Sequence, residues 1–178
     1  MRYRLAAALA LLALVLGVTV PAQGATTAPP PTVNPDLVAT MVSSTTTEIT
    51  VTQAAALGAV QPAQLDRLAT QTSAHCWNQY EYWAWTFAFG RIGFSWMQLV
   101  WCSNGSTITS WSVPLRGAKG TNGFGGEWVD QGGRSVGWEV REYEEYHFWV
   151  TALNLYGCMQ IRGGATGLYS TQRSCDLS

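Results

Sequence analysis

Charge is what this chain has least of. One lysine, Lys119, occurs in 178 residues, and charged side chains make up 12% of the total, with a formal net charge of -1. Proteins that grip nucleic acid gather Lys and Arg into a patch that neutralises phosphates, and no such run exists here. Nucleic acid is therefore not an expected partner. No close-spaced C-x-x-C pair occurs among Cys76, Cys102, Cys158 and Cys175, which argues against a zinc site. There is no G-x-S-x-G nucleophile elbow. The glycine-rich stretch 116–126 fits neither a P-loop nor a dinucleotide fingerprint, because no strand-then-helix pattern frames it. No metal and no cofactor are expected. After residue 24 no apolar run is long enough to span a bilayer.

What is present begins with an export signal. Arg2 and Arg4 precede an apolar run from Leu5 to Val20, and Ala22-Gln23-Gly24 supplies small residues before a cut ahead of Ala25. Residues 1–24 read as a signal peptide, and the mature protein is expected to be secreted, with no transmembrane anchor. Export gives the four cysteines their meaning, since an even number in an oxidising compartment indicates two disulfides. Of the three possible pairings, Cys76–Cys102 and Cys158–Cys175 each close a moderate loop within one aromatic segment. On the chain-entropy view, each stabilises by about 3 kcal/mol.

Residues 25–60 are rich in Ala, Thr, Ser and Pro and predict a disordered leader, with a brief strand-like pattern around Ile49 and Val51. Residues 61–75 predict a short helix and linker: Pro62 sits where a first-turn proline is tolerated, and Leu65, Leu68 and Ala69 share a face. Residues 76–178 form the tryptophan-rich β domain. Between Trp83 and Phe89 large apolar residues occupy every second position, the period of a strand. Gly90–Gly93 then predicts a hairpin loop that sets Phe89 against Phe94 and Trp83 against Val100. Asn104-Gly105 predicts a type I′ turn. A following strand over 107–113 ends at Pro114, and 116–126 reads as a flexible loop. A turn is expected at 130–133 and one central strand over 146–156. Short strands punctuated by glycine turns predict an all-β fold, an antiparallel sandwich or small barrel.

The stretch Trp101-Cys102-Ser103-Asn104-Gly105-Ser106-Thr107-Ile108-Thr109-Ser110 resembles a W-C-x-N/D-G-x-x-I-T-S signature of small exported bacterial proteins of uncharacterised function, actinobacterial in type. The resemblance implies the strand–turn–strand fold and no activity.

Three polar or aromatic groupings bear on function. Glu139, Arg141, Glu142, Glu144, Glu145 and His147 could supply acid–base chemistry, as glycoside hydrolysis requires of two carboxylates. The plainer reading is an ion pair between Glu139 and Arg141 beside a solvated acidic turn, with a weak calcium site as the other possibility. His75 and His147 read as partly exposed histidines. Nine tryptophans exceed what one small core hides, so the remainder are expected at the surface, where flat rings stack on sugars or enter a membrane interface. Trp111 and Trp128, which flank the glycine-rich stretch, are the expected ligand-binding pair. The expectation is a non-catalytic extracellular binding module for polysaccharide or cell envelope. The alternatives are an exported membrane-active or bacteriocin-like toxin, and a hydrolase.

Overall fold

The computed structural model describes residues 33–71, 73–88 and 90–178. The expected signal peptide and the first part of the leader lie outside them. In chain order the elements are β1 (Val38–Ile49), α1 (Val51–Ala56), α2 (Pro62–Ala69), β2 (His75–Phe87), β3 (Gly90–Ser103), β4 (Ile108–Gly120), β5 (Gly125–Ser135), β6 (Glu139–Val150), β7 (Leu153–Gly164) and β8 (Tyr169–Gln172). They form two four-stranded antiparallel sheets, ordered β1-β2-β3-β4 and β5-β6-β7-β8. The fold is a sandwich and not a closed barrel.

Each sheet turns one face to the other, and the core lies between them. Trp83, Trp85, Met97, Leu99 and Trp101 from the first sheet meet Tyr146, Phe148, Leu155 and Ile161 from the second. Trp85 packs against both Tyr146 and Phe148, with ring centroids 6.0 and 5.7 Å away. The outer face of the first sheet is roofed by the helices, where Ala54, Val60 and Leu68 cover Cys76, Val100 and Cys102. Thr50 and Gln53 close a reciprocal cap at the start of α1. The expected helix at Pro62 is α2, with Leu68 on its buried face. Both disulfides pair as expected, Cys76 with Cys102 and Cys158 with Cys175.

The predicted leader is partly wrong: Val38–Ile49 is the edge strand β1, paired along β2. Its Ser and Thr side chains do not need an apolar face, because β2 presents polar ones. Gln79 and Glu81 are fully buried on the inner face of β2. Thr46 donates to Gln79, and Gln79 Nε2 donates to Ser44 Oγ at 2.7 Å. Buried amides and carboxylates require such partners, so the polar segment docks as a strand.

The hairpin register also differs. Trp83 lies opposite Ser95 and Trp85 opposite Gly93, and the last pair of the hairpin is Phe87 with Gly90. Bulky rings are thereby set against small residues: Trp85 Nε1 donates to Ser95 Oγ at 2.7 Å, and a Cβ on Gly93 would meet Phe148 Cδ1 at 2.7 Å. Phe94 and Trp96 fall on the outer face, stacked on Tyr82 at 5.3 and 6.4 Å. The Asn104 loop has four residues, closed by Asn104 Oδ1 accepting from the Ser106 and Thr107 backbone, with only Gly105 of the Asn-Gly pair at positive φ.

Pro114 does not end β4; it sits at a bulge on this edge strand, between the pairs Val100–Ser112 and Gln98–Leu115. Residues 116–126 are two strands and a tight turn, not a loop. A Cβ on Gly126 or Gly120 would strike the backbone of the neighbouring strand, so glycine lets β4 and β5 cross closely. Gly132 and Gly133 likewise lie within β5, where Tyr143 and the Glu142 carboxyl cross them; a Cβ on Gly133 would be 2.7 Å from Glu142 Cδ. The strand expected over 146–156 is instead the end of β6 and the start of β7, reversed at Thr151 with φ +51°.

Candidate functional site

Four tryptophans, Trp77, Trp83, Trp85 and Trp101, are core, while Trp111, Trp128 and Trp138 are exposed at 36, 38 and 59%. The expected binding pair is therefore at the surface. Trp111 projects from β4 and Trp128 from β5, the facing edges of the two sheets. Strand alternation explains their direction: Trp111 pairs with the core residue Trp101, and Trp128 with Tyr146, so both rings lean into the mouth of the sandwich.

Beneath them lie two carboxylates. Glu142 and Glu144 alternate with Tyr143 on β6 and share the inner face with Tyr146. Glu142 is 5% exposed and Glu144 0%. Trp111 Nε1 donates to Glu142 Oε2 at 3.2 Å. Arg116 Nη1 donates to Glu144 Oε1 at 3.1 Å, and the Arg116 guanidinium lies 4.6 Å from the centre of the Trp128 ring. Trp111 is thus anchored directly on a buried acid, and Trp128 through the arginine that pairs with another.

Burial dominates the electrostatics. It pushes the Glu142 carboxyl up to about 7, against the Trp111 hydrogen bond and the Arg116 charge, which lower it. It pushes Glu144 up to about 7 as well, opposed by Arg116 and Trp128 and reinforced by Glu142. Burial also raises Glu81 and Glu145. One carboxyl oxygen on each of Glu81, Glu144 and Glu145 has no hydrogen-bond partner among the described residues. An unpartnered buried oxygen favours the protonated form.

The acidic cluster is not the solvated turn read from the sequence. Glu142, Glu144 and Glu145 are mid-strand and buried. The expected Glu139–Arg141 pair is present, with Arg141 Nε 2.6 Å from Glu139 Oε2. A carboxyl poised near neutrality suits acid–base work, but Glu144 is sealed under Arg116 and Glu142 is almost covered, so neither is offered to a sugar bond. His75 pairs with Glu48 at 2.7 Å. His147 lies between Glu127 and Asn154 and stacks on Tyr156 with centroids 4.5 Å apart. These are the surroundings of structural histidines. The anchoring role of Glu142, Glu144 and Arg116 was missed, although period-two alternation puts Glu142 and Glu144 on one face with Val140, Tyr146 and Phe148.

No protein-family model matches this chain, and no curated protein or solved structure shows significant similarity to it. The site must be interpreted from its own chemistry.

Proposed function

We propose that the protein is exported and acts as a non-catalytic extracellular binding module, holding a glycan of the cell envelope or a related polysaccharide on Trp111 and Trp128. The carrying observation is that two half-exposed rings on facing edge strands are held against buried glutamates, Trp111 by a direct hydrogen bond and Trp128 through Arg116. A free surface tryptophan loses side-chain freedom when it stacks on a ligand; an anchored ring has already lost it, so less binding free energy is spent on ordering. Two disulfides, and no helix among the described residues long and apolar enough to cross a membrane, suit an extracellular setting. Near-neutral charge suits a ligand without strong charge.

Intrinsic tryptophan fluorescence titrated with cell-wall and plant polysaccharides tests the reading. Stacking on an aromatic ring is worth about 1–3 kcal/mol, so Trp111→Ala and Trp128→Ala should each weaken binding about tenfold or more. Each should destabilise by no more than about 1–3 kcal/mol, the cost of a lost partner for a buried acid, whereas Trp85→Ala should destabilise by about 3–5 kcal/mol. Absence of any response to the polysaccharides, with a response to lipid vesicles, would replace this reading by the membrane-active one.

A further inference from the structure

A second site lies at one end of the sandwich, separate from the Trp111–Trp128 edge. Three turns meet there: 104–107 after β3, 136–138 after β5 and 165–168 after β7. Main-chain hydrogen bonds sew them together, from Ile108 N to Gly137 O at 2.6 Å and from Ala165 N to Trp138 O at 2.8 Å. Ser103 Oγ adds a bond to Ala165 O at 2.6 Å. The frame is rigid although it is built from turns of both sheets.

This frame encloses a cavity of about 300 Å³, walled by Trp138, Leu168 and Tyr169 with Glu139, Arg162 and Ser170. The volume is at the small end for ligand sites, enough for one or two sugar rings. Trp138 is the most exposed tryptophan, at 59%. Both its own carbonyl and that of Gly137 are held by main-chain bonds, yet its indole N–H has no hydrogen-bond partner among the described residues. The backbone is fixed and the ring is exposed. A flat ring of this kind offers its face to the C–H side of a sugar.

The polar groups are pre-set in the same way. Glu139 Oε2 takes Arg141, which leaves Oε1 as a fixed acceptor. Arg162 Nε donates to Gln160 Oε1 at 2.6 Å and Nη2 to the Ser178 carbonyl at 3.5 Å, which leaves Nη1 as a fixed donor. The charges cancel: Glu139 faces Arg141, and hydrogen bonds from Ser178, helped by the charges of Arg162 and Arg141, hold the Asp176 carboxyl below its ordinary value. A site with one held donor, one held acceptor, an aromatic plate and no net charge selects hydroxyl groups over ions.

We propose that this cavity binds a neutral mono- or disaccharide unit, stacked on Trp138 and hydrogen-bonded by Glu139 and Arg162. The test is a titration of the full mature protein, indole-labelled with nitrogen-15. The probes are neutral disaccharides of glucose, galactose, mannose and N-acetylglucosamine, with glucuronic acid and glucosamine as charged counterparts. The Trp138 indole resonance, assigned through Trp138→Phe, should shift at millimolar neutral sugar. Trp138→Ala should weaken binding by roughly ten- to a hundredfold, and Trp138→Phe by less. Trp111→Ala and Trp128→Ala should leave this titration unchanged, so failure at either site is seen separately from the other. A Trp138 resonance that no neutral sugar moves overturns the proposal. So does a preference for the charged sugars, or an affinity indifferent to Trp138→Ala.

Discussion

Raising the pH from about 5 to about 8 should destabilise the protein, and the loss should trace to Glu142 and Glu144. Each carboxyl moves from an ordinary 4.5 in the unfolded chain to about 7 in the native state. Between those values the native protein holds protons that the unfolded chain has released, so the free energy of unfolding falls as pH rises through that window. Below it both states are protonated, and above it both are ionised, so these groups add no further slope. At about 1.4 kcal/mol per tenfold change, each carboxyl corresponds to about 3 kcal/mol as an upper bound. The two are coupled, since the charge on Glu142 raises Glu144, so the pair should lose about 3–5 kcal/mol in all. Glu81 and Glu145 are raised too and add slope of the same sign. Arg116 from β4 opposes the loss and keeps the ionised state folded. The assay is urea unfolding with disulfides intact at a series of pH values, on the parent and on Glu142→Gln/Glu144→Gln. Glutamine keeps an oxygen for Trp111 and Arg116, so the double variant should fold and lose more than half the slope. A parent whose stability is flat or rises over this range would refute the reasoning, as would a slope unchanged in the double variant.

Limited proteolysis should leave a resistant fragment that begins ahead of Val38, because β1 is paired along β2; deletion to residue 61 should expose Gln79 and Glu81 and abolish cooperative unfolding. Gly120→Ala should destabilise by several kcal/mol, since the new Cβ meets the Phe124 and Gly125 backbone, which cannot swing aside. By contrast, a Cβ added at Gly123, in the same turn, meets nothing, and the loss there should be only the smaller strain of a φ of +86°.

Legibility in the sequence followed the physics of each signal. Both disulfides and α2 were readable because compartment, an even cysteine count and a first-turn proline act locally. The all-β class was readable from period-two alternation. The register of β2 and β3 was not, because matching large rings to large rings ignores volume; the sheet instead sets Trp85 against Gly93 and Trp83 against Ser95. Glycine misled in the same way. Gly132 and Gly133 signal a turn by composition, yet they serve the passage of Tyr143 and Glu142. The Ser/Thr segment of β1 lacked apolar residues, and its partner's buried polar face is visible only once the strands are paired. Trp111 and Trp128 were legible as a pair flanking the glycine stretch, but their anchors depend on β4 of one sheet packing over β6 of the other.

The order of the strands bears on how the chain folds. Every ladder joins neighbours in sequence, and the second sheet begins only after the first is complete. Neither disulfide crosses between sheets: Cys76–Cys102 bridges β2 and β3, and Cys158–Cys175 joins β7 to the segment after β8. A sandwich of this kind avoids the long loop closures that slow Greek-key proteins. Each half can therefore assemble and close its own disulfide independently, with docking of the two faces as the last event. Until then Glu81 and the inner tryptophans of the first half are bare, which makes the interval between the two oxidations the period of greatest exposure to aggregation.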